Sequence, residues 1–106
     1  MFCFVGVVKQ VHPTSSAVLR CRSVFYDSVL WRYRKHDSDR SRILYLNGIF
    51  TVDSRRFEVS SRNSTPGVFD LRIKNVQFSD AGVYRCTEND GHYPGEVRYV
   101  LNVTGD

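Results

Sequence analysis

Apolar and polar residues alternate along this chain in short runs, and no stretch holds a 3.6-residue apolar period for ten residues. The pattern predicts strands near Val5 to Val11, Ala17 to Val24, Leu30 to Arg34, Ile43 to Leu46, Ile49 to Val52, Phe57 to Ser60, Val68 to Lys74, Gly82 to Glu88 and Val97 to Thr104. Between them lie His12 to Ser16, Lys35 to Arg42, Asn47-Gly48, Ser61 to Gly67 and Asn89 to Gly95, rich in the residues that turns require. Leu19 and Cys21 oppose Val18, Arg20 and Arg22, and Leu71 and Ile73 oppose Asp70, Arg72 and Lys74, so each run has one dry face and one wet face. Two antiparallel sheets packed through their apolar sides satisfy these nine segments, whereas a parallel sheet needs helical crossovers that the pattern lacks.

Length and composition narrow the picture. The 106 residues, 42% of them hydrophobic, are expected to form one domain spanning 1–106 around one core. The longest apolar run, Met1 to Val8, is too short to span a membrane and lacks the basic flank and small-residue cleavage site of a secretory leader, so membrane insertion by this domain is not expected. The net charge of +4 comes from twelve arginines and three lysines set against eleven acids. Arginine forks suit interfaces with carboxylates and sulfates, but the cations are scattered at strand spacing without a nucleic-acid-binding motif, so no nucleic acid partner is expected.

Enzymatic chemistry finds no support in the motifs. There is no Gly-x-Ser-x-Gly elbow, phosphate-cradling glycine loop, paired zinc cysteines or His-Glu-x-x-His segment. His12, His36 and His92 fall in three separate loops, and Asp27, Asp37, Asp39, Asp53 and Asp90 sit near turns, where carboxylates bond local amides. No catalytic residue, metal site or cofactor is expected.

The combination of Cys21, Trp31 and Cys86 with the block Asp80-Ala81-Gly82-Val83-Tyr84-Arg85-Cys86 resembles the immunoglobulin superfamily. The four strand candidates between Trp31 and Cys86 match its variable-like set, the V-set. The resemblance implies a Greek-key sandwich of about nine strands with Cys21 bridged to Cys86 beneath Trp31, Leu71 in the core and Tyr84 bonding nearby backbone. It further implies an ion pair between Arg56 and Asp80, and a disulfide implies an oxidising, extracellular location. The antigen-receptor Phe-Gly-x-Gly bulge is absent from Tyr93 to Arg98. Stretches such as Arg42 to Tyr45 and Arg56 to Val59 look instead like the first domains of IgLON and lachesin-type adhesion proteins and of innate immune-type receptors of lower chordates. Asn63-Ser64-Thr65 and Asn102-Val103-Thr104 fit the N-glycosylation pattern, and Cys3 is the odd thiol.

If Trp31 and Cys86 point inward, alternation sends Arg32, Arg34, Arg85, Thr87, Arg98 and Val100 outward on one face, together with Ile43 and Tyr45 flanking an inward Leu44. That face, with Tyr45 and Ile43 as apolar anchors, is the expected binding surface of a recognition module in an adhesion or immune receptor. The expected partner is a protein or a second copy of the chain, with an acidic or sulfated glycan as a further option. A second copy would need Glu88, Asp90 or Glu96 to reach across. The alternative function is a structural spacer within a longer ectodomain.

Overall fold

The computed structural model describes residues 7–22, 29–46, 48–52, 55–60, 67–88 and 96–105. Among these are nine strands, β1 (Val7–Val11), β2 (Ala17–Leu19), β3 (Val29–Arg34), β4 (Ser41–Leu46), β5 (Ile49–Phe50), β6 (Phe57–Val59), β7 (Leu71–Ile73), β8 (Gly82–Glu88) and β9 (Val97–Val103). One 3-10 turn, Phe78–Asp80, precedes β8. Each strand lies on one of the nine segments expected from the alternation. The second, fifth and seventh are shorter than expected, and among the described residues beyond β2 an isolated bridge joins Arg22 to Val68 and Phe69 N donates to Cys21 O at 2.8 Å.

The strands form a larger sheet in the order β1-β9-β8-β3-β4-β5 and a smaller one in the order β2-β7-β6. This is the expected all-β sandwich, with one refinement. β1 joins β9 in parallel, Val7 facing Tyr99 and Val11 facing Val103, while the other pairings are antiparallel. The reason lies in connectivity: β1 leads through a turn into β2 of the opposite sheet, so no hairpin dictates its direction against β9. Thr14, at φ 71, sits in that turn, which is tied to the segment before β8 by Thr14 N donating to Val76 O at 2.8 Å and Val76 N donating to Ser15 O at 2.8 Å.

The alternation read from the sequence is the packing scheme. Leu19, Leu71 and Ile73 from the smaller sheet meet Trp31, Tyr84, Cys86 and Leu101 from the larger, all fully buried. Cys21 and Cys86 are joined, their Cα atoms 6.4 Å apart. Trp31 Nε1 donates to Phe69 O at 3.0 Å, so the one polar atom of the buried indole is satisfied across the sandwich.

Below the disulfide, buried polar groups hold the start of β8. Tyr84 donates its hydroxyl to Asp80 O at 2.6 Å, and Tyr33 donates to Ala81 O at 2.7 Å, with the two rings 4.8 Å apart. Arg56 grips Asp80 with both arms of its guanidinium, Nη1 to Oδ2 at 2.8 Å and Nη2 to Oδ1 at 3.0 Å, while Gln77 N donates to Oδ2 at 2.8 Å. Gly82 is required here: its φ is +151°, and a Cβ would come within 2.5 Å of Arg34 O and 2.7 Å of the Tyr33 ring.

Burial, then the nearby Asp80 charge, pushes the Tyr84 hydroxyl well above its ordinary value of 10.0, and burial also raises Tyr33 and Tyr99. Above pH 10 the unfolded chain therefore releases protons that the native state retains. The stabilisation is complete below that pH and declines as pH rises, by about 1.4 kcal/mol per pH unit for Tyr84. Thermal melts followed with tyrosinate absorbance should show ionisation arriving together with unfolding. Full ionisation near pH 10 with no loss of melting temperature would contradict this origin.

Candidate functional site

Registers of the larger sheet show which side chains share its outward face, because directly opposed residues project to the same side. One row crosses four strands as Ile43 (β4), Arg32 (β3), Arg85 (β8) and Arg98 (β9). On one side of it runs Ile49, Leu46, Leu30 and Thr87, and on the other Ser41, Arg34, Val83, Val100 and Val8. A band of guanidinium groups thus lies between two mainly apolar strips. Ile43 is 37% exposed and Ile49 68%, and Arg32, Arg85, Arg98, Thr87 and Val100 are half-buried.

Seven of the eight expected face residues stand on these rows. Tyr45 does not. The β3–β4 register shifts between Trp31 and Arg32, so that Ile43 opposes Arg32 while Tyr45 opposes Trp31. Leu44 is the extra residue of this bulge and is buried in the core. Tyr45 consequently packs against the core, its ring 5.0 Å from Phe50, which in turn lies 6.4 Å from Phe57 of the smaller sheet. The bulge restores Leu46 to the outward side, opposite Leu30. Strict alternation through residues 43–46 therefore put the aromatic anchor on the wrong side. The apolar groups on the face are Leu30, Leu46, Ile43, Ile49, Val83, Val100 and Val8. Leu30 and Val83 are buried yet lie outside the core cluster, as expected for outward residues covered by their neighbours.

The second correction concerns Glu96, which the sequence offered as a loop acid free to reach a second copy. Its side chain is only 8% exposed, with Oε2 3.7 Å from Arg85 Nη1 and 3.8 Å from Arg98 Nη2. It is committed to its own face, where one carboxylate holds two guanidinium groups side by side. Arg34 is also tethered: its Nη1 donates to Ser38 O at 2.8 Å in the loop before β4.

The remaining candidates fall elsewhere. Leu71, Trp31, Tyr84, Asp80, Arg56 and the Cys21–Cys86 bridge form the framework described above. Asn102 lies beyond Val100 on the outward side of β9, opposite Gln10 of β1, so a glycan there projects from this sheet. His12 Nδ1 lies 3.2 Å from Thr104 O, away from the guanidinium band. Cys3, Asp27, Asn47, Asp53, Asn63, Asp90 and His92 lie outside the described residues. Among those described, no group of three or more His, Cys, Asp or Glu side chains is placed to hold a metal ion, and no helix is long and apolar enough to cross a membrane.

Comparison with known proteins agrees with this architecture. The second immunoglobulin domain of the mouse polymeric immunoglobulin receptor superposes with a TM-score of 0.75 at 15% identity, covering 96% of this chain and 99% of that one. The extracellular portion of mouse CD200RLa superposes with a TM-score of 0.71 at 22% identity, covering 93% of this chain and 56% of that one. At such identities the likeness is one of fold. A comparison with curated protein sequences found no match. The family model of the immunoglobulin V-set domain matches residues 8–104. With the bridged Cys21 and Cys86, the buried Trp31, the Tyr84 corner and the Arg56–Asp80 pair all in place, the chain belongs to the immunoglobulin V-set family.

Proposed function

We propose that this domain is an extracellular recognition module that binds a protein partner through the outward face of its larger sheet and catalyses no reaction. The observation that carries the reading is the mixed face itself. Guanidinium groups flanked by exposed Ile43 and Ile49 combine the residue types enriched where proteins bind one another. A spacer has no use for such a surface. The V-set fold is typical of extracellular receptors, and the disulfide needs an oxidising compartment to form and persist.

The test uses multimers of the domain on a panel of purified ectodomains. Arg32→Glu combined with Ile43→Asp should lower binding to any hit by about a hundredfold with an unchanged melting temperature. Val18→Asp combined with Arg72→Glu, an opposed pair on the outer side of the smaller sheet, should leave binding within about twofold. Binding lost only in the second pair would move the site to the other sheet, and a domain that binds nothing on a broad panel would favour the spacer.

A further inference from the structure

We infer that the partner of this face is a separate protein that presents carboxylates between apolar groups, and not a second copy of this chain. The inference rests on the outward face of the larger sheet being the binding surface.

Charge balance carries it. Arg32 directly opposes Arg85, and Arg85 directly opposes Arg98, so three guanidinium groups stand in one cross-strand row with Arg34 in the next. Like charges so placed repel one another. Among the described residues on this face the compensating acid is Glu96, which is 8% exposed and already set against Arg85 and Arg98. Among the described residues the face therefore carries more guanidinium than carboxylate, and Glu96, one of the three acids that a second copy could offer, is turned into its own sheet. In a two-fold pairing the same patch meets itself, which brings one guanidinium band up to another with no exposed carboxylate between them among the described residues of these rows. A partner with its own carboxylates removes that repulsion and gains charge-assisted forks, since arginine and carboxylate match in geometry.

The apolar strips decide between sources of negative charge. Leu46 and Ile49 reach the surface on one side of the band and Val100 and Val8 on the other, while Leu30 and Val83 of the same rows are buried. A sulfated sugar chain answers the cations but leaves these strips facing water. A protein surface with Asp or Glu at its centre and aliphatic side chains around them answers both, at the fixed spacing of a strand row.

A fluorescent short peptide of alternating Glu and Leu tests this by anisotropy, beside its Lys-Leu counterpart and a heparin-derived oligosaccharide, at low and moderate salt. The Glu-Leu peptide should bind, more weakly as salt rises. Arg32→Glu should weaken it about tenfold or more and Ile43→Asp by a similar factor, while Arg20→Glu, an exposed cation outside this face, should stay within about twofold. Binding of the Glu-Leu peptide no tighter than that of the Lys-Leu peptide would overturn the inference. So would oligosaccharide binding that outlasts Ile43→Asp in the absence of peptide binding, which would assign the band to a glycan. A concentration-dependent dimer in sedimentation that Arg32→Glu abolishes would overturn it in favour of self-pairing, while leaving the face as the site. If Arg20→Glu abolishes peptide binding and both face variants are silent, the face reading itself fails.

Discussion

Replacing both bridged cysteines, Cys21→Ala with Cys86→Ala, is expected to remove about 4 kcal/mol of stability, a large part of what a domain this size possesses. The bridge spans a sequence separation of 65, and opening it frees a long loop in the unfolded chain. The folded state loses as well, because Cys86 is fully buried beside Trp31 and both alanines leave space in a close-packed core. Denaturant unfolding with and without reductant should give a large drop in midpoint for the oxidised protein only. The double variant should match the reduced form to within the cost of its cavities. A midpoint indifferent to reductant would show that the sandwich stands on its apolar core alone.

Arg56→Ala is expected to cost about 3 kcal/mol, several times what an ordinary surface ion pair contributes. The difference lies in burial. Asp80 is 6% exposed, and without Arg56 its carboxylate keeps only the Gln77 amide among the described contacts, inside a structure that gives it little water. Arg56 is better placed to lose its partner: its side chain is 27% exposed and it also donates to Lys74 O and Asn75 O. Asp80→Ala should therefore cost less than Arg56→Ala, and the double variant less than the sum of the two. The exposed Lys74–Glu58 pair is the internal control, expected to change stability by less than about 1 kcal/mol when Lys74 is replaced. Chemical denaturation of the four proteins measures this directly, and an Arg56→Ala cost no larger than that control would remove the pair from the framework.

The sequence carried the framework because its signals are local and redundant. Leu71 and Ile73 face the core because they alternate with Arg72, and the Asp80 to Cys86 block fixes the tyrosine corner and the second half of the bridge within seven residues. The guanidinium band was equally legible, since Arg32, Arg85 and Arg98 each lie one step from an inward residue on a regular strand. Two features were not. The bulge at Leu44 inserts one residue and reverses the parity of everything after it on β4, and nothing in Ile43-Leu44-Tyr45-Leu46 distinguishes a bulged run of apolar residues from a regular one. Glu96 follows the sequence Tyr93-Pro94-Gly95, rich in turn-forming residues, and so reads as a loop acid; the β8–β9 register reveals that Arg85 and Arg98 stand opposite one another beside it. The finer likeness to IgLON and lachesin-type first domains stays an expectation of the sequence.

An aspartate scan of the outward positions of both sheets, read as affinity for a partner drawn from the ectodomain panel, decides which sheet face binds. Losses should gather at Arg32, Ile43, Leu46, Ile49, Thr87 and Val100 in proteins that still melt normally, with Val18, Glu58 and Arg72 silent. Losses gathered at Val18, Glu58 and Arg72, with the guanidinium band indifferent to replacement, would contradict it.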